Sequence, residues 1–180
     1  YLPDWHPWED YRKGYSARSE LGGGIILDAS HEIDYIRWFL GEAKEVFAIA
    51  GKLSSLEINT EDTAEILIRF ASGAIGEVHL DYVQRTRKRD CQIIGEKGTI
   101  IWDVDDKCVK LFKAKKRKWE ILPIKNDFID NDMYVDEMKY FMECIKKGEK
   151  AYPDAMDGRK VLEIALAAKR SSTDKKLVKL

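Results

Sequence analysis

GGGIILDASHEIDYIRWFLG, residues 22–41, begins with three glycines and then settles into a helical rhythm. Ile25, Ala29, Ile33, Ile36 and Leu40 recur at spacings of three or four, which predicts a helix over 25–41 with one apolar face and Gly41 as its stop. Asp28, His31 and Tyr35 share a second face. Helix residues three apart are surface neighbours, so the Asp28 carboxylate can reach the His31 imidazole. An imidazole beside a carboxylate accepts a proton at neutral pH, and the carboxylate stabilises the resulting imidazolium; removing a proton from an alcohol during hydride transfer needs such a base. The same pattern also suits a merely hydrogen-bonded histidine, with Asp28 complementing a helix dipole and Asp34 making a structural hydrogen bond. The glycines let backbone approach closely or take positive φ, as a bound ligand often requires.

Outward from this helix the period shortens to two. Segments 46–53, 62–70, 74–83, 88–95, 99–104, 108–113 and 118–122 are rich in Ile, Val, Phe, Tyr and Trp and predict strands. Ala71-Ser72-Gly73 and Gly95-Glu96-Lys97-Gly98 are hairpin turns, so neighbouring strands run antiparallel in one large sheet over 46–122. Ala64, Ile66, Ile68 and Phe70 make one face apolar; Glu65, Leu67 and Arg69 make the other mixed, fit for water or a partner subunit. A polar link through Asn126 and Asp130 leads to two helices within 131–171, the second capped by Asp154, and Leu177-Val178 offers a last edge strand. Upstream, residues 1–24 form an aromatic arm without period, read as a long ordered loop.

Composition bounds the function. The chain has 180 residues, 31 Lys plus Arg against 32 Asp plus Glu, and 44% hydrophobic residues, as expected of one soluble domain that buries a sizeable core. The balanced charge argues against a nucleic-acid partner. No apolar run reaches the ~18 residues of a membrane span. Cys91, Cys108 and Cys144 are odd in number and widely spaced, which indicates neither disulfides nor a zinc site and fits a reducing cytoplasm. The twelve glycines form neither G-x-G-x-x-G nor a phosphate-binding loop, so any nucleotide-binding domain lies elsewhere.

Residues 22–41 are similar to the signature of the C-terminal domain of the Gfo/Idh/MocA family of NAD(P)-dependent sugar and polyol oxidoreductases. IIGEKGTIIWD, residues 93–103, and DMYVDEMKYFMECIKKGEKAYPDAMDGRKVLEIALAAKRSS, residues 132–172, resemble the same family in the same order, so the resemblance spans almost the whole chain. It implies an α+β fold of the dihydrodipicolinate-reductase-like kind, a large, mostly antiparallel open sheet with helices packed on one face. It also implies an N-terminal Rossmann domain, missing here, that binds NAD or NADP. The chain would then be the substrate-binding and oligomerisation domain of a cytoplasmic enzyme acting on a sugar or nucleotide-sugar. It would form a homo-oligomer through the sheet face and be inactive without the Rossmann half.

The resemblance matches His31 to the family's acid/base histidine and Asp28 to the carboxylate beside it, with a Lys of an E-K-P motif supplied by the missing domain. Many members carry an Asp four residues before the His, at the place of Leu27. That departure favours an alternative, a non-catalytic binding or assembly module that retains the fold and the sheet interface. The arm YLPDWHPWEDYR, residues 1–12, resembles a subgroup of sugar-modifying enzymes of bacterial surface-polysaccharide pathways. On that resemblance Trp5, His6, Trp8 and Tyr11 would stack on a sugar ring, and Arg12 or Arg85 would meet a phosphate or carboxylate; equally, they would anchor the arm to the sheet.

Overall fold

In the computed structural model, which describes residues 1–124 and 130–180, each segment of period-two alternation forms a strand. These are β1 Ala43–Gly51, β2 Thr63–Phe70, β3 Ile75–Asp81, β4 Asp90–Gly95, β5 Gly98–Asp103, β6 Cys108–Lys113 and β7 Lys118–Pro123. The closing β8, Val178–Lys179, pairs antiparallel with β1, as do all other neighbours. The expected polar link at Asn126 lies outside the described residues.

The expected single large sheet is divided. Its strands form two four-stranded sheets, ordered β3-β2-β1-β8 and β4-β5-β6-β7. Strand β3 ends where Asp81 Oδ1 accepts the backbone N–H groups of Val83 at 2.7 Å and Gln84 at 2.5 Å, folding the chain into a turn. The α+β class and the antiparallel pairing stand. Two compact units result, one of Tyr1–Arg85 with Tyr152–Leu180 and one of Thr86–Ala151.

The first unit holds the core. Val46, Ala48, Ala64, Ile66, Ile68 and Phe70 project from one face of its sheet and are almost fully buried, while Ile49, Leu67 and Ile75 on the other face stay exposed. Against the buried face lie helices α2 Ile25–Asp28, α3 Ser30–Leu40 and α5 Ala155–Asp174, whose Ile26, Ile33, Ile164, Ala165 and Ala168 complete the layer. Each such Ile contributes about 1.5–3 kcal/mol by leaving water. Asp154 caps α5 as expected and makes a reciprocal capping box with Asp157. Arg37 of α3 reaches Asp157 at 3.0 Å and Glu42 at 2.7 Å, tying α3 to the start of α5. The arm folds into α1, Leu2–Trp5, and three short 3-10 turns.

In the second unit, the charge run 113–118 is the turn between β6 and β7, with Arg117 at φ 49°. Helix α4, Asp130–Lys147, buries Cys144 and leaves Met133, Tyr140, Phe141 and Ile145 exposed. Among the described residues no helix is long and apolar enough to cross a membrane.

Candidate functional site

The glycine turn is shaped by its own chain. A Cβ at Gly23 would stand 2.0 Å from the Tyr15 carbonyl oxygen and 2.7 Å from that of Ser16. At Gly24, with φ +106°, it would stand 2.4 Å from the Glu61 carboxylate, which is itself held by Lys169 of α5 at 2.8 Å. The close approach that the sequence reserves for a ligand is therefore taken by the arm's backbone and by an ion pair.

Beyond the turn, the expected helix over 25–41 is two helices. Ala29, at φ −98° and ψ 29°, breaks it between α2 and α3, and its N–H bonds to the carbonyls of Ile25 and Leu27. Three residues across a break no longer make one turn, so Asp28 and His31 share no hydrogen bond. Both Asp28 oxygens are occupied instead. Oδ1 accepts from the Tyr15 hydroxyl and Oδ2 from the Tyr82 hydroxyl at 2.8 Å. Asp28 holds the Tyr15 phenol above the ordinary tyrosine range by accepting its proton in a hydrogen bond. Burial, with the Asp28 charge nearby, raises the Tyr82 phenol further.

His31 takes a different carboxylate. Its Nε2 lies 3.1 Å from Glu32 Oε1, and its ring is 59% exposed. With Leu27, Ser30 and Asp34 it lines an open cleft of about 530 Å³, closed on the far side by Pro153, Asp154 and Val161 at the start of α5. A hydroxyl-bearing ligand entering here would meet an accessible imidazole, a serine hydroxyl and carboxylates on an apolar floor.

The six expected substrate contacts lie outside this cleft lining. Tyr11 accepts from the Glu57 N–H at 3.2 Å, and Arg12 is tied to Asp10 and Glu57 at 2.7 Å each, so both anchor the arm to the 53–60 loop. Arg85 covers the Tyr1 ring at 3.6 Å. His6 and Trp8 face each other edge to face at 5.4 Å, with Trp8 exposed. Trp5 meets the edge of Tyr82 at 5.4 Å and so reaches the Asp28 group through that ring. Sequence reasoning missed Tyr15, Tyr82 and Glu32. Adjacent helix residues do not face each other as a rule, and Tyr82 sits at the end of a strand pattern, where its apolar ring alone was legible.

His79 lies on the exposed sheet face between Glu65 at 2.6 Å and Asp81 at 3.1 Å. Burial lowers its pKa, but the two carboxylates outweigh burial and hold it above the ordinary value.

A family model described as the GFO/IDH/MocA C-terminal domain matches residues 2–101. A myo-inositol 2-dehydrogenase of Thermotoga maritima is 34% identical over 175 residues, taking in 89% of this chain and 50% of the relative. A scyllo-inositol 2-dehydrogenase (NAD(+)) of Bacillus subtilis is 29% identical over 163 residues, 83% of this chain and 45% of the relative. Among solved structures, a levoglucosan dehydrogenase in complex with NADH and levoglucosan superposes with a TM-score of 0.84 at 22% identity, covering 93% of this chain and 53% of that one, and so shares the fold. The chain thus spans about half the length of the relatives it matches.

Proposed function

The chain belongs to the Gfo/Idh/MocA family, and from that premise we propose that its two units act together as the substrate-binding and oligomerisation domain of an NAD(P)-dependent oxidoreductase of a cyclic polyol or sugar. The two relatives named for inositol favour a cyclic polyol over a nucleotide-sugar. The exposed sheet face bearing Ile49, Leu67 and Ile75 supports self-association there.

The glycine turn offers no dinucleotide cradle. The space beside Gly23 is filled by backbone carbonyls, and the Glu61 carboxylate at Gly24 would repel a phosphate. On this reading the cofactor is held by a further domain, and the 180-residue chain by itself should show no turnover. A nicotinamide, when bound, supplies hydride chemistry. This chain's part is the proton.

The observation that carries the reading is His31, accessible in the cleft and paired through Nε2 with Glu32. With Nε2 facing Glu32 Oε1 at 3.1 Å, Nδ1 is the nitrogen that accepts the proton of the substrate hydroxyl as its carbon is oxidised, and the Glu32 carboxylate lies beside the imidazolium so formed. In the reverse direction the same nitrogen returns the proton. Replacing His31→Gln in the full-length protein should lower turnover of a cyclic polyol with NAD by about 10²-fold or more. Undiminished turnover would point to the non-catalytic alternative.

A further inference from the structure

Asp28 is the last residue of α2, and a phenol donates to each of its oxygens. The two phenols differ in kind. Tyr82 is fully buried and fixed through its backbone on both sides: its N–H donates to the Asp62 carbonyl at 2.8 Å, and its carbonyl accepts from the Leu2 N–H at 3.0 Å. Asp62 is itself fully buried and holds Leu53 and Ser54. The Tyr82 hydroxyl therefore stands where the core puts it. Tyr15, by contrast, belongs to the arm and is 57% exposed, so its hydroxyl is located by Asp28.

Satisfying a buried phenol needs only a neutral acceptor such as a backbone carbonyl. Bringing a carboxylate to it costs desolvation, which charge-assisted hydrogen bonds at both oxygens offset. The result is a directed chain from the core to the surface: the buried phenol locates the carboxylate, and the carboxylate locates the exposed phenol. The break at Ala29 lets it form, because a continuous helix would have turned Asp28 toward His31. Asp28 stands between Leu27 and the Ser30–His31 pair, which line the cleft, so the two phenols fix the bend on which that part of the lining stands.

We infer that Tyr82 and Tyr15 are positioning residues that act through Asp28, an inference that rests on the polyol oxidoreductase reading. The test is a double-mutant cycle in the full-length protein with NAD and a cyclic polyol. Tyr82→Phe removes one hydroxyl without changing shape and should lower kcat about tenfold, as loss of a hydrogen bond to a charged group does. On an Asp28→Asn background the same change should have no further effect. Losses that multiply instead would make Tyr82 an independent structural residue and overturn the inference.

A second readout needs no turnover. The Tyr15 phenolate, followed as the near-ultraviolet difference between the protein and its Tyr15→Phe variant, should form above the ordinary tyrosine range and shift back toward it in Asp28→Asn. An unmoved midpoint would overturn the coupling. The two readings fail separately: full turnover in His31→Gln removes the proton role of His31, whereas a multiplicative cycle or an unmoved Tyr15 midpoint removes the positioning role of the tyrosines.

Discussion

Gly23→Ala should damage the fold far more than Gly22→Ala, although the two glycines are adjacent. Gly22 has φ +82° and nothing within 4 Å of the place a Cβ would occupy, so the substitution meets only the left-handed backbone penalty, about 1 kcal/mol. Gly23 needs no positive φ, but its Cβ would be 2.0 Å from one backbone carbonyl oxygen, 2.7 Å from a second and 2.9 Å from a third. Ordinary contact begins near 3.4 Å, so the arm's backbone would have to retreat by about 1.4 Å, with no flexible side chain to absorb the shift. That lies at the upper end of overpacking costs, about 3 kcal/mol or more. For a chain of this size the melting temperature should fall by about 6–12 °C for Gly23→Ala and about 2–4 °C for Gly22→Ala. Thermal unfolding of the two variants, followed by circular dichroism, reads the difference directly. Equal melting temperatures, with polyol affinity lost only in Gly23→Ala, would show that the turn is shaped for a ligand and refute the packing argument.

Two further outcomes concern pH. Asp62 is fully buried, which on its own raises a carboxyl pKa, yet donors from Leu53, Ser54 and Thr63 outweigh burial and hold it below the usual value. A depressed folded pKa stabilises the fold above the unfolded value, about 3.9, and that stability is lost as pH falls through the folded value. Asp62→Asn should therefore melt well below the parent at neutral pH, with the gap closing in acid; a gap independent of pH would contradict this. His79 has a raised pKa, so its ion pairs with Glu65 and Asp81 stabilise the fold fully below the unfolded value, about 6.5, and the contribution is lost as pH rises through the folded value. His79→Gln should lose its small destabilisation, under about 1 kcal/mol for so exposed a group, on going from mildly acid to alkaline solution. Melting curves at the two pH values that differ from the parent by the same amount would count against it.

Much of the architecture is carried by local pattern. Period-two alternation locates β1 to β7 within a few residues, and Asp154 marks the start of α5 because a cap and its capping box are made among neighbours. The glycine triplet announces a tight place without saying what fills it. The continuous helix over 25–41 fails at Ala29 for a definite reason: Ile25, Ala29 and Ile33 are all buried, so the apolar spacing runs unbroken through a backbone that is not. Periodicity reports which residues face the core and is silent on a bend that keeps them there. The division of the sheet after β3 is likewise invisible, since period-two alternation marks strands and is silent on which strands pair.

The site separates along the same line. By itself the sequence determined the family resemblance, the α+β class and the candidacy of His31, because these rest on residue types at fixed spacings. Only the tertiary structure decided the partners. Asp28 is held by a tyrosine 13 residues before it and another 54 after it, Glu61 closes on Gly24 from α5's ion pair, and the cleft beside His31 is completed by residues from the far end of the chain. Such contacts are set by how helices and sheet stack once apolar surface leaves water, and side chains distant in sequence meet only when that stacking is complete.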